Sequence, residues 1–419
     1  MKLTLENVGK FHEQCQFEFN GITVVAGENG TGKSTIGKVL YSIFDTFYRI
    51  DLQIKEMKVR SVTRCFVDEV QEQAGYANQR TFIRVAREIV GDLQNHVDKE
   101  VLRTKIRELS PVLFSDERIE ILLDEIQKKL QISDKEITKR LLRYRLDAEF
   151  GINIGHVNYS DSTSIWELAL KEGLTRCQFI EAEGELEINI ERNVDIRHNV
   201  IYLDDFSIQY ALGDTAGGIL LLNEYAHGAS VRKMSRTEKK VLDRESKSAI
   251  DDILQDEKSK QIFEIMKTMD IGELEEEKGN IRYVSSNLKK PLKVENLSSG
   301  LKSLLTIKKL IKEHTLKEKS VLILDEPEIH LHPEWQKQFA HIIVLLHKCM
   351  DITVLISTHS TDFLSFIELY SRKYKLQDKC KYYLLDESEY ASNVSDVTEQ
   401  IDKIYEQLGM PFLKVSEEF

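Results

Sequence analysis

Prolines are scarce, five in 419 residues, and no Gly/Ser-rich or low-complexity tract makes up for them. No stretch therefore reads as a flexible linker, and the middle of the chain reads as an insertion into one domain rather than a bead on a string. Cysteines are equally few. Cys15, Cys65, Cys177, Cys349 and Cys380 lie far apart with no C-x-x-C pair. An odd, scattered set indicates reduced thiols packed in cores, as in a cytoplasmic protein. No apolar run approaches the roughly 20 residues needed to cross a bilayer, so a membrane role would need another subunit. The opening Met1-Lys2-Leu3-Thr4-Leu5-Glu6 reads as an amphipathic strand, not a signal peptide. Positive charge is in deficit: 58 Lys and Arg against 70 Asp and Glu give a net charge of −12. That balance argues against a uniformly basic nucleic-acid coat, while leaving local basic patches open. No fixed-period repeat is present.

Against these absences stands one dense motif. Gly27-Glu28-Asn29-Gly30-Thr31-Gly32-Lys33-Ser34-Thr35 is a G-x-x-x-x-G-K-S loop. A mostly apolar run, residues 22–26, precedes it and reads as a buried strand; residues 36–43 follow with helical spacing. Strand, loop and helix in that order are the context in which such a loop binds phosphate. The glycines let the backbone curl until successive N–H groups face one anion, and the helix start adds its positive end. A glycine-rich turn serving only chain reversal would leave the Lys-Ser pair unexplained. The candidate nucleotide-binding residues are Gly27, Asn29, Gly30, Gly32, Lys33, Ser34 and Thr35. Lys33 would reach the β- and γ-phosphates of ATP, and Ser34 would hold Mg²⁺.

Residues 1–48 read as strand, strand, loop and helix, with a turn at Asn20-Gly21. Residues 49–150 turn helical, and Ser133 with Glu136 reads as a capped helix start. Lys139, Arg140, Arg143 and Arg145 stud that helix. Residues 151–205 are strand-like. Residues 206–280 are mostly helical and highly charged, with a basic stretch at 232–247. From Ile281 a short hairpin is followed by alternating helices and strands, which predicts an α/β fold with a mostly parallel sheet. Residues 382–385 read as the last strand. The expected division is a head of residues 1–48 and 281–390 with strands from 151–205, a mainly helical insertion at 49–150 and 206–280, and a C-terminal helical segment at 391–419.

The run Val321-Leu322-Ile323-Leu324 ends in Asp325 and Glu326. Alone this would be a solvated strand end. Beside a phosphate loop it becomes a second half-site, because ligands gather at the carboxyl ends of buried parallel strands. Asp325 would enter the Mg²⁺ shell, and Glu326 would orient or deprotonate the attacking water. Val354-Leu355-Ile356-Ser357-Thr358-His359 is a similar strand, placing His359 at the same edge as a γ-phosphate contact. Upstream, Leu297-Ser298-Ser299-Gly300 opens an apolar-striped helix. Small residues there make either a helix cap or an anion site.

In their order, these elements resemble the ABC-type ATPase head: phosphate loop, signature loop, acidic strand, switch histidine. The resemblance covers residues 1–48 and 281–390. It implies N-terminal antiparallel strands beside the parallel sheet, and a head-to-head homodimer with two sandwiched ATP molecules. Ser298, Ser299 and Gly300 of one copy would then close on ATP held by the other. Ser299 and Leu301 depart from the common L-S-G-G-Q pattern. Gln209 is a candidate for the Q-loop, and Phe11 or His12 for stacking on adenine.

The wide separation of Lys33 and Gly300 does not suit a transporter ATPase. Residues 49–280 are too short, and too strand-containing, for the arms of an SMC-type protein. Leu5-Glu6-Asn7-Val8-Gly9-Lys10-Phe11 and Glu326-Pro327-Glu328-Ile329-His330-Leu331-His332-Pro333 resemble the OLD-like and RecF-like branch. The chain after His359 is too short for a Toprim nuclease, and no HNH motif is visible. The resemblance then points to ATPase subunits of bacterial two-component anti-phage systems. It favours the Septu (PtuA-like) type, which partners an HNH nuclease, with the PARIS type second. The alternative is a DNA-binding repair ATPase gripping phosphates with residues 139–145 or 232–247.

Overall fold

The computed structural model describes residues 1–70, 79–92, 99–109, 116–151, 154–158, 163–182, 185–204, 249–277 and 280–417. The chain opens on β1 (Lys2–Glu6), β2 (Cys15–Glu18) and β3 (Ile22–Gly27), followed by α1 (Lys33–Phe47). Five helices come next: α2 (Ile50–Val70), α3 (Gln79–Asp92), α4 (Lys99–Leu109), α5 (Asp116–Leu130) and α6 (Asp134–Phe150). Strands β4 (Ser164–Ala169), β5 (Leu174–Ala182), β6 (Glu185–Arg192) and β7 (Val200–Leu203) precede α7 (Ala249–Thr268). Then come β8 (Glu273–Glu277), β9 (Asn280–Val284), β10 (Leu292–Lys293) and α8 (Ser299–Lys312). The chain continues through β11 (Val321–Asp325), α9 (Pro333–Met350), β12 (Thr353–Thr358), α10 (Thr361–Lys373), β13 (Cys380–Glu387), β14 (Ser392–Asp396) and α11 (Asp402–Glu417).

The fold is α/β. A six-stranded sheet in the order β14-β13-β3-β12-β11-β7 is parallel except for β14. Its inner strands β3, β11 and β12 are apolar without alternation because both faces are covered. Val24, Ala26, Leu322, Leu324, Val354 and Ile356 pack with α8, α9 and α10 on one side. Val25, Ile323, Leu355 and Tyr383 pack with α1 and a second sheet on the other. That second sheet is antiparallel, β2-β1-β4-β5-β6, and buries Leu3, Phe17, Trp166 and Phe179. A three-stranded sheet, β10-β9-β8, completes the strands.

The chain divides into two compact units, Met1–Tyr48 with Leu142–Phe419, and Arg49–Leu141. The second unit is helical, with its own core of residues such as Val62, Phe66, Phe82, Ile89 and Leu123. Leu142 and Leu146, at the C-terminal half of α6, join the core of the first unit beside Trp166. The described part of 206–280 also packs in the first unit, since Ile262 and Met266 of α7 bury with the α9 residues. Two strands escaped the sequence reading: β8, and β14, which follows the expected last strand and opens the C-terminal segment. Among the described residues no helix is long and apolar enough to cross a membrane.

Candidate nucleotide site

The registers bring four strand ends to one edge. Gly27 lies opposite Leu385, Ala26 opposite Thr358, and Asp325 opposite Ser357. From this edge the chain leaves β3 through the loop 27–32 and enters α1. Gly30 and Gly32 have φ of 82° and 91°, which an L side chain rarely adopts. A methyl group at Gly27 would stand 2.6 Å from the Leu385 carbonyl oxygen. Asn29 and Gly30 are exposed, and no side chain caps the start of α1. Its first N–H groups are therefore not taken up by a capping side chain. Ser34 is half-buried in the first turn of α1. The Thr35 side chain lies under Gly9, and its N–H donates to the Gly32 carbonyl (3.1 Å).

Lys33 folds back over the loop. Its ammonium donates to the carbonyls of Gly27 (2.9 Å) and Glu28 (2.8 Å) and stands 3.9 Å from a Glu326 carboxylate oxygen. Burial lowers its pKa, opposed by the charges of Glu326, Asp325, Glu328 and Glu28. A desolvated cation held by two backbone carbonyls at the start of α1 fits an incoming polyphosphate.

Asp325 closes β11. Tyr202 Oη donates to its Oδ2 (2.9 Å) and Ser357 Oγ to its Oδ1 (2.6 Å), so both carboxylate oxygens are aimed by neighbouring strands. Glu326 follows in the left-handed region (φ 47°), costing about 1–2 kcal/mol for a non-glycine residue. Its N–H donates to the Ser357 carbonyl (2.9 Å), which anchors the unusual turn to β12. His359, 42% exposed, places Nδ1 3.1 Å from Glu326 Oε1. The hard oxygen donors of Asp325 and Ser34 suit Mg²⁺. Lys33, Glu326 and His359 form one contact chain at the sheet edge.

Ser298 caps α8, accepting from the Leu301 N–H (3.4 Å), and Ser299 begins that helix. Gly300 is buried. A methyl group there would lie 2.6 Å from the His330 carbonyl oxygen, so the start of α8 packs directly on the loop that follows Glu326. In that loop His332 caps α9 by accepting from the Glu334 N–H (3.4 Å).

Phe11 cannot stack on adenine. It is fully buried in the core against Phe17, where it also lies beneath Gly32. His12 is half-buried, with Nδ1 2.8 Å from Asn7 Oδ1 and its ring edge-on to His156. Gln209 and residues 232–247 lie outside the described residues.

The sequence reading gave no role to Tyr202, Ser357, Thr358 or Glu328. Tyr202 hides inside an apolar run, and nothing local shows that it faces Asp325. Glu328 looks like a surface acid after a proline, yet it is 4% exposed, and burial pushes its carboxyl up to about 6. Thr358 Oγ1 donates to Glu328 Oε1. Lys10, whose Nζ lies 3.9 Å from a methyl built on Gly30, pairs with Glu387.

A comparison with curated proteins gives no match. Solved structures similar to this chain include an SMC head domain from Thermotoga maritima, 11% identical over 94% of this chain and 98% of that one, TM-score 0.38. Another is an Smc head bound to the C-winged helix domain of ScpA (13% identical, 96% and 98% covered, TM-score 0.46). A third is an Smc head domain with an extended coiled coil bound to the C-terminal domain of ScpA derived from Pyrococcus furiosus (12% identical, 97% and 98% covered, TM-score 0.41). The family described as AAA ATPase domain matches residues 1–364. That span holds the phosphate loop, both carboxylates and His359, and the chain belongs to the AAA ATPase domain family.

Proposed function

We propose that this chain binds ATP with Mg²⁺ at the phosphate loop, hydrolyses it between two copies of itself, and thereby controls a separate nuclease effector in the cytoplasm. The carrying observation is the shared contact on Glu326: His359 Nδ1 at 3.1 Å and Lys33 Nζ at 3.9 Å from the same carboxylate, beside a doubly oriented Asp325. Mg²⁺, when bound, polarises phosphoryl oxygens and offsets developing charge. Lys33 would release the Gly27 and Glu28 carbonyls and turn to the phosphates. Ser34 and Asp325 would supply oxygens to the metal. His359 would turn from Glu326 toward the third phosphate, leaving Glu326 free to orient a water and take its proton. The N–H groups of 27–35 would hold the remaining charge. Ser298, Ser299 and Gly300, at the start of α8, would close on the nucleotide of the second copy.

The effector is read as an HNH-type nuclease, by resemblance to Septu-type ATPase subunits; a PARIS-type system is the second candidate. The alternative of a DNA-binding repair ATPase draws on Arg140 and Arg143, exposed on α6. Arg145 of the same helix is paired with Asp45 (2.5 Å). The deciding experiment is mass determination of complexes purified through a tag on this chain, expressed from its own operon, with and without ATP. An ATP-dependent dimer with a small HNH protein is expected. A lone dimer retaining DNA would replace this reading with the repair ATPase. Lys33→Ala should lose ATP binding; normal binding in that variant would overturn the site itself.

A further inference from the structure

Glu328 is a carboxylate that the proposed chemistry does not use. It is more deeply buried than Glu326, and burying a carboxyl group is costly unless hydrogen bonds offset the lost hydration. Here Oε1 accepts from Thr358, while the buried Oε2 has no hydrogen-bond partner among the described residues. An acid so poorly satisfied is not explained by stability.

What the acid does hold is the turn carrying His359. Thr358 Oγ1 donates to Glu328 and accepts from the Ser360 N–H (3.0 Å), so it ties residue 328 to both sides of His359. Ser360 then caps α10 by accepting from the Phe363 N–H (3.1 Å). On the other flank, the Glu328 carbonyl accepts from the Leu331 N–H (3.1 Å) and from Gln336 Nε2 (3.4 Å). The loop that carries Glu326 and the turn that carries His359 are thus pinned together at one side-chain contact.

We propose that Glu328 is a positioning residue: by holding Thr358 it fixes His359 relative to Glu326, and so sets the rate of hydrolysis without taking part in nucleotide binding. This rests on the roles of Glu326 and His359 argued above. Displacing catalytic groups by about 1 Å can cost about 100-fold. Glu328→Ala and Thr358→Val should therefore each lower kcat by about 10-fold to 100-fold, with the ATP Kd measured by equilibrium binding within about threefold of wild type. Both variants break the contact of Glu328 with Thr358, and Thr358→Val also frees the Ser360 N–H, so the double variant should fall no further than Thr358→Val alone. Glu328→Gln keeps an oxygen acceptor for Thr358 and should recover most of the rate.

Wild-type kcat in folded Thr358→Val, whose shape is nearly unchanged, would overturn the proposal even if Glu328→Ala failed to fold. So would losses that add in the double variant, or a Kd rising in step with the fall in kcat. If those variants hydrolyse normally while Glu326→Gln is slow, only the role of Glu328 falls. If wild type neither binds nor hydrolyses ATP, the site reading falls and this inference with it.

Discussion

Tyr202→Phe removes one oxygen and leaves the ring in place. The ring packs against Gly37 of α1, where an added methyl would come within 2.9 Å of Tyr202 Cε2, and is tilted against the Tyr41 ring with centroids 6.0 Å apart. Phenylalanine fills that space equally well, so the contact of α1 with the sheet survives. What is lost is the 2.9 Å donation to Asp325 Oδ2. A hydrogen bond to a charged group contributes roughly 1.5–3 kcal/mol. Asp325 is only half-buried, so water replaces part of this, and the low end of that range applies. Ser357 still holds Oδ1, so the carboxylate swings rather than leaves. Losing a hydrogen bond that orients a metal-binding carboxylate typically weakens metal binding by about 10–100-fold; with one of two orienting donors retained, about tenfold is expected. The assay is a Mg²⁺ titration of the binding of a fluorescent ATP analogue, with Mn²⁺ binding followed by electron paramagnetic resonance as a second readout. Metal affinity should fall about tenfold, with ATP affinity in EDTA unchanged. An unchanged metal affinity in folded Tyr202→Phe would refute the orienting role of the hydroxyl.

Glu326→Gln should keep ATP binding, slow hydrolysis by about 100-fold or more, as expected for loss of a general base, and hold the closed dimer in size-exclusion chromatography with ATP; an unchanged rate would remove the residue from the chemistry. Gly300→Ala should destabilise the head, because the added methyl meets a backbone carbonyl at 2.6 Å with no flexible side chain to yield; a wild-type melting temperature would contradict that packing. The pH dependence of stability has a definite sign at Glu328. Its folded value, about 6, lies above the ordinary 4.5, so the folded state holds the proton more tightly. The penalty for holding it ionised in the folded state is therefore absent below the ordinary value and reaches up to about 2 kcal/mol once pH exceeds the folded one. The stability of Glu328→Gln relative to wild type should rise between those two pH values, and a flat difference in denaturant titrations would refute the shift.

The parts of the fold that read directly from the sequence are those whose burial is two-sided. β3, β11 and β12 are apolar runs bounded by chemistry-bearing residues, and the strand–loop–helix order around Lys33 needed no tertiary information. β8 and β14 did not read as strands because Glu-Leu-Glu-Glu-Glu and Ser-Asn-Val-Ser-Asp carry one apolar residue each. Their place in a sheet comes from pairing with β9 and β13. The junction of β1 with β4 is likewise invisible locally, since Leu3 meets Leu168 across most of the head's sequence insertion. Phe11 misled for a related reason. An aromatic near a phosphate loop is a sensible base-stacking candidate until its neighbours in space, Phe17 and Gly32, show that it fills the core. The gathering of candidate residues at one sheet edge was legible where a residue type carries its own chemistry, as Lys33, Asp325 and Glu326 do. It was illegible where the role depends on a partner in another strand, as with Tyr202 and Thr358.

The packing of Gly300 on His330 gives this division a mechanical consequence. Six residues, 326–331, hold the proposed water-orienting acid, the acid on Thr358, and the carbonyl against which α8 begins. Glu326 and His330 both adopt the left-handed conformation (φ 47° and 65°), so the loop is pinned at two strained points rather than draped. Strained residues persist only where their surroundings over-determine them, and here those surroundings are the Ser357 carbonyl on one side and the start of α8 on the other. In the proposed dimer, a load on Ser298 and Ser299 from a second copy would reach the loop of Glu326 through the packing of Gly300 on His330. Gly300 is what allows that packing: a side chain there would block the approach of α8, with Ser298 and Ser299 at its start, to the His330 carbonyl.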